Sequence, residues 1–111
     1  MSYIFIASMD VDPDKEDLFN EVYDGEHIPF ILQVPGVHSA TRYTAEPFEV
    51  EIGGERKRIE PEGPRYSAVY EIDGPEVLLR REWIAAAEKG RWLAEVRPWT
   101  RNRHHEIRKR R

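Results

Sequence analysis

The sequence predicts an α+β fold: a four-stranded antiparallel sheet and two helical regions in the order strand, helix, strand, strand, helix, strand. Three observations carry that prediction. Apolar residues recur with period two in separated stretches; helical spacing follows two openings built from Asp and Pro, Asp12-Pro13 and Asp73-Gly74-Pro75; and 111 residues can bury one modest core but not two. Residues 1–111 are therefore read as a single domain.

Residues 3–9 place Tyr3, Phe5, Ala7 and Met9 on one face of a strand and Ile4 and Ile6 on the other, the pattern of a central strand. Asp12 then supplies an N-cap, Pro13 fits the first helical position, and Asp14, Glu16 and Asp17 load the first turn with the charge its dipole favours. Leu18, Phe19, Val22 and Tyr23 form the buried stripe of this helix, which Gly25 is expected to interrupt. Pro29 suits the opening turn of a new segment, so residues 26–33 continue as helix with Ile28, Ile31 and Leu32 inward, closed by Pro35-Gly36. Residues 38–44 alternate as the second strand, with Ser39, Thr41 and Tyr43 opposite His38, Ala40 and Arg42.

Residues 48–59 read as an inserted hairpin about Gly53-Gly54. Counting outward pairs Glu51 with Arg56 and Glu49 with Arg58, while Phe48, Val50, Ile52 and Ile59 share the other face. Such a hairpin either extends the strands that flank it or covers a pocket. The third strand spans residues 66–72. After Asp73-Gly74-Pro75 a second helical region runs to about residue 88 with Val77, Leu78, Trp83, Ile84 and Ala85, and a further turn past Gly90 carries Trp92 and Leu93. Residues 96–105 are the fourth strand.

A formal net charge of −4 hides an asymmetry, since seven of the 17 Lys and Arg lie in residues 97–111 beside one acid, Glu106. The body is acidic and residues 104–111 form a basic tail. Counterion release from nucleic acid would use Arg101, Arg103, Arg108, Lys109, Arg110 and Arg111. The acidic body would repel phosphates and no base-reading motif accompanies the tail, so a solvated or docked terminus is the preferred reading. With no Cys there is neither a disulfide nor a thiolate metal site. The run Tyr3-Ile4-Phe5-Ile6-Ala7 is too short for a signal segment or a membrane span, and a cytoplasmic protein is expected. His104-His105-Glu106 does not make a metal site, because neighbours on a strand point to opposite faces.

Acid–base chemistry near neutral pH is best served by the segment holding Glu26 and His27, walled by Phe19, Tyr23 and Phe30. Asn20, Tyr23 and His27 follow helical spacing, so an amide and a hydroxyl could orient the imidazole, and Glu26 would either raise its pKa or face solvent. The bland alternative is a histidine that satisfies a helix-end carbonyl. Arg42 could fork a substrate carboxylate, although Glu71 on the neighbouring strand is a competing partner. Two helices cover only one face of a four-stranded sheet. A second copy packed face to face is the simplest cover for the other, so a homodimer through the sheet faces is expected.

The residues Phe19-Asn20, Tyr23, Glu26-His27-Ile28-Pro29, Val34-Pro35-Gly36, Arg42-Tyr43, Gly63-Pro64-Arg65-Tyr66 and Tyr70-Glu71 together resemble the dimeric α+β barrel proteins of ferredoxin-like βαββαβ fold, and within them the EthD-like group. That resemblance spans about residues 1–100 in strand order, with its specific motif in 19–43. It departs at Val22, where relatives often carry Trp, and at the 48–59 insertion. The resemblance implies a small enzyme, without metal or organic cofactor, of the monooxygenase, isomerase, cyclase or decarboxylase type. It would act on a small oxygenated, aromatic, lactone or polyketide-like substrate, with His27 and Tyr23 catalytic. Asn20, Glu26, His38, Arg42, Trp83 and Trp92 would bind substrate between helices and sheet. The alternative is a non-catalytic homodimer that binds such a ligand or serves a pathway as an accessory subunit.

Overall fold

The computed structural model describes residues 2–111. Strands β1 (Tyr3–Val11), β2 (Val37–Thr44), β5 (Tyr66–Ile72) and β6 (Thr100–Lys109) form an antiparallel sheet in the order β2-β5-β1-β6, and β3 (Phe48–Ile52) and β4 (Glu55–Ile59) form a separate two-stranded ribbon. β1 is central, as its two apolar faces require. Gly53 and Gly54, at φ 61° and 81°, turn the ribbon, and Glu51 faces Arg56 while Glu49 faces Arg58.

The helices cover one face of the sheet. Buried Ala7, Met9, Tyr66, Ala68, Tyr70 and Ile72 meet Phe19, Val22, Tyr23, Ile31, Val77, Trp92 and Val96 from the helical layer. Phe5, Tyr66 and Tyr70 lie under the helices, and Trp99 sits in a 3-10 turn beneath the Lys15 ammonium. Alternation leaves Ile4, Ile6, Val69 and Tyr43 on the open face, beside a Ser8–Ser67 hydrogen bond of 2.7 Å.

Gly25 does not break the first helix. A π-type turn, Tyr23–His27, joins α1 (Glu16–Val22) to α2 (Ile28–Leu32), and the Ile28 N–H donates to the Tyr23 carbonyl five residues back. The extra residue in the turn brings Tyr23 and His27 both inward and leaves Gly25 in solvent. The second helical region is also more broken than its apolar spacing suggests. A 3-10 turn, Pro75–Leu79, ends at extended Arg80; α3 (Arg81–Ala87) follows; and a second π-type turn, Trp92–Val96, leads through Arg97–Trp99 into β6.

β6 starts at Thr100 rather than 96 and continues to Lys109, so most of the expected tail is a strand, with His105 opposite Ala7 and Lys109 opposite Tyr3. An edge strand with little burial lacks the apolar alternation that would announce it. Between Ser8 and Asp10 the register gains a residue on β6 at Asn102-Arg103. Asn102 takes φ 54° there and donates to the Asp10 carboxylate at 2.8 Å, while the Arg65 N–H donates to the same carboxylate at 2.8 Å. Those two bonds hold the Asp10 carboxyl below the usual range.

The approach to Trp92 is set by a clamp. Glu26 accepts from the Arg91 backbone N–H at 3.1 Å and from its Nε at 2.7 Å, which lowers the Glu26 pKa. Gly90 passes beside this pair at φ 73°, where a Cβ would stand 2.8 Å from Glu26 Oε1 and 2.9 Å from Phe30 Cε2. Two alanine substitutions should consequently act with opposite sign in denaturant unfolding. Gly90→Ala should cost about 1–3 kcal/mol through strain and crowding. Gly25→Ala, in open space within a helical segment, should gain about 0.5–1 kcal/mol.

Candidate functional site

A cavity of about 110 Å³ lies between the helical layer and the sheet, and both π-type turns feed it. The first supplies Tyr23 and His27, the second Trp92. The His27 ring stacks on Trp92 at 4.5 Å and 26° and meets Tyr23 edge-on at 5.0 Å. From the sheet, the Tyr70 hydroxyl lies 3.3 Å from that of Tyr23, and Phe5 and Tyr70 each contact Trp83 edge-on. His27, Tyr23, Tyr70 and Trp92 are buried, whereas Arg103 and His105 on β6 are exposed, so the cavity opens toward that edge. His105 stacks on Phe5 at 5.8 Å. A larger cleft of about 300 Å³ at the Tyr3–Lys109 end has neither an imidazole nor a phenol pair.

Burial, reinforced by the positive charges of Arg97, Arg42 and Arg103, lowers the His27 pKa to about 4, so the ring is neutral at physiological pH. Its Nδ1 is buried without a hydrogen-bond partner. The same desolvation raises the pKa of Tyr23 and pushes that of Tyr70 well above the usual phenol value, keeping both hydroxyls protonated. His105 is lowered by burial, then by Arg103 and His104. The cavity thus joins neutral imidazoles, protonated phenols and the guanidinium groups of Arg97 and Arg103, with no carboxylate in its lining.

Of the residues proposed from sequence, Tyr23, His27, Trp83 and Trp92 line this cavity; Asn20, Glu26, His38 and Arg42 do not. Asn20 reaches the Tyr66 hydroxyl at 3.4 Å, which in turn donates to Glu16. The π-type turn has altered the spacing that would have aimed Asn20 at His27. Glu26 belongs to the Arg91 clamp and raises nothing on His27. His38 pairs with Asp73 at 2.5 Å at an exposed strand end, and this bond lowers the Asp73 pKa. Arg42 lies against the Tyr23 ring at 4.3 Å and donates to Asp24 at 2.9 Å, lining a separate cleft with Asn20 and Tyr66. Glu71 does not compete for it, because it projects from the opposite face and accepts from Ser39 at 2.6 Å.

Tyr70, Arg97, Arg103 and His105 were not identified from sequence as site residues. Tyr70 was legible in principle, since it alternates with Ala68 and Ile72 on the face that the helices cover. His105 and Arg103 share one face of β6, a strand whose polar composition does not mark which face is covered. Among the described residues no cluster of three His, Asp or Glu could hold a metal ion, and His104 bonds Glu106 at 3.2 Å while His105 faces the cavity. No helix of the described residues is long and apolar enough to cross a membrane.

No protein-family model matches the sequence, and no curated protein matches it. Among solved structures, an ethyl tert-butyl ether D (EthD) family protein from Bacillus halodurans, determined at 1.40 Å, aligns over 100% of both chains with a TM-score of 0.60 and 16% identity. At that identity the likeness is one of fold: the chain shares an α+β, ferredoxin-like fold with that EthD family protein.

Proposed function

We propose that this protein is a small cofactor-independent enzyme that moves a proton on a small oxygenated, aromatic, lactone or polyketide-like substrate, with His27 as acid and base. One observation carries the reading: a neutral, buried imidazole shares its cavity with a pair of protonated phenols. In such a site His27 removes a proton from a carbon next to a carbonyl, and the electron pair moves onto the carbonyl oxygen. The Tyr23–Tyr70 pair has one O–H left over from its mutual bond to meet that oxygen. The enolate so formed, and the imidazolium beside it, are common to isomerisation, cyclisation and the protonation step of decarboxylation. Aromatic walls from Phe5, Trp83 and Trp92 suit a flat substrate.

A second reading, a non-catalytic homodimer that binds such a ligand or an accessory subunit, is favoured by the His27 Nδ1, which has no acceptor to fix a tautomer. In either case we infer a dimer through the open sheet face, where Ile4, Ile6, Val69 and half-exposed Tyr43 form an apolar field. The β3–β4 ribbon supports the same inference: Phe48 and Ile52 are each 54% exposed, and an isolated two-stranded ribbon is marginal in water. The reading takes the protein as cytoplasmic, in keeping with the absence of cysteine.

Proton transfer can be followed as deuterium incorporation from D2O, by NMR, across a panel of β-keto acids, lactones and phenolic acids. Wild type should exchange at least one of them, and His27→Phe should slow that exchange about 10²–10⁴-fold. Equal rates in the two proteins would remove His27 from the chemistry, and no exchange or turnover on any substrate would favour the binding reading.

The protonation state can be tested separately through stability. The folded pKa of His27, about 4, lies below its ordinary 6.5, so the unfolded chain binds the extra proton first. Stability is then complete above pH ~6.5 and falls as the pH drops toward 4, by up to about 3 kcal/mol. His27→Phe should flatten this part of the pH–stability curve, and identical slopes in variant and wild type would contradict a buried neutral ring.

For the dimer, Val69→Asp on the open face should yield monomers in sedimentation at concentrations where wild type sediments as two chains. A monomeric wild type would refute the interface.

A further inference from the structure

We propose that the cavity takes a carboxylate-bearing ligand, with Arg97 and Arg103 holding the carboxylate and the aromatic wall holding its ring or short chain. This rests on the reading of the cavity as the ligand site but not on any catalysis there.

The cavity lining carries the proposal. Arg42, Arg58, Arg65, Arg91, Arg101 and Arg108 each have a carboxylate within ion-pair distance, while Arg56, Arg80, Arg81, Arg110 and Arg111 have none among the described residues and lie outside the cavity. Arg97 and Arg103 line the cavity, and neither appears in an ion pair among the described residues. The Arg97 Nε is moreover buried with no acceptor, an arrangement that a bound anion would relieve. Both arginines line one cavity whose walls hold no carboxylate, so its field favours an anion.

The fold supports one of these arginines by a specific device. The extra residue in β6 at Asn102-Arg103, secured by Asn102 at φ 54° and its bond to Asp10, sets the local direction of the strand where Arg103 enters the lining. Asp10 is thereby occupied by Asn102 and the Arg65 N–H rather than by Arg103. The positive field also reaches the floor, since Arg97, Arg42 and Arg103 all oppose protonation of His27. At about 110 Å³ beside Phe5 and Trp83, the space suits a compact ring or short chain attached to the carboxylate, with the Tyr23–Tyr70 hydroxyls facing a second oxygen. An inorganic oxyanion would share the arginines but leave the aromatic wall empty.

Titration of the intact protein with benzoate, its neutral isostere benzamide, and inorganic phosphate separates these cases, read by tryptophan fluorescence and calorimetry. Benzoate should bind at least about tenfold more tightly than benzamide and displace any bound phosphate. Arg103→Met, on an exposed edge position and checked for folding by circular dichroism, should weaken benzoate about tenfold while changing benzamide less than about twofold. Arg97→Met should behave alike, and Arg97→Lys should recover part of the affinity. Equal binding of benzoate and benzamide, tighter binding of phosphate than benzoate, no saturable benzoate binding in the millimolar range, or an unchanged benzoate affinity in Arg103→Met would each overturn the proposal. Failure of the catalytic reading looks different: benzoate would bind through the arginines while no substrate exchanges a proton. Exchange confined to uncharged substrates would spare catalysis and sink the anion site.

Discussion

The face-to-face contact of His27 with Trp92 is the constraint around which the site is arranged. Each ring arrives from a π-type turn, and the two turns belong to different halves of the chain. Their approach is held from behind by Glu26 on Arg91, with Gly90 as the residue that can pass close enough to the carboxylate. Glu26 therefore contributes to the imidazole's setting mechanically, by docking the loop that carries Trp92, and not by lending it charge. The consequence is a histidine enclosed by aromatic surface, which loses water without gaining a counter-ion, and desolvation then dominates its titration.

The same geometry explains why Tyr23 and Tyr70 remain proton donors. Tyr23 is sandwiched between the cavity and the Arg42 guanidinium, whose charge alone would favour the phenolate. Burial is the larger effect and wins, and Tyr70, beneath it in the sheet, is raised by the same cause. Arg42 is thus a wall behind the site, with Asp24 neutralising it on the solvent side. A residue that looked like a ligand for substrate acts through the ring in front of it.

Much of the architecture could be read from sequence because it rests on local rules. The alternation of β1, β2 and β5 and the Gly53-Gly54 turn each express a short-range preference that the fold does not override, whereas Pro13 and Pro75 each open a short 3-10 turn, with the α-helices starting only at Glu16 and Arg81 and no side-chain cap from Asp12. The strand and helix order followed from them. What could not be read depends on register between distant segments. Helical spacing from Asn20 through Tyr23 to His27 was a sound expectation for an α-helix, but one extra residue in the turn rotates the ring away from the amide. Gly25, a breaker by propensity, is absorbed by that wide turn. β6 escaped notice beyond residue 105 because its partner β1 supplies the apolar side chains, and an edge strand needs few of its own. Arg97, Arg103 and His105 complete the lining, but strand alternation alone does not say which face of an edge strand meets a cavity.

Each irregularity in this chain has an ordinary structural reading when taken alone. A π-type turn can accommodate an insertion, a strand bulge can relieve twist, a buried ring nitrogen can go without a partner, and a lone arginine can face solvent. Here two such turns, the positive φ of Asn102 with its bulge, the unpartnered His27 Nδ1 and Arg97 Nε, and two arginines without carboxylates all border or support one small cavity. The rest of the molecule is comparatively regular, with a closed apolar core and an unbroken β1–β5 ladder. Packing alone gives no reason for the exceptions to gather, since an apolar filling of that space would avoid both the unsatisfied donors and the like charges. A ligand that accepts hydrogen bonds and carries negative charge supplies one, because it meets the guanidinium groups and the phenol pair together, leaving the neutral imidazole as the group free to take a proton.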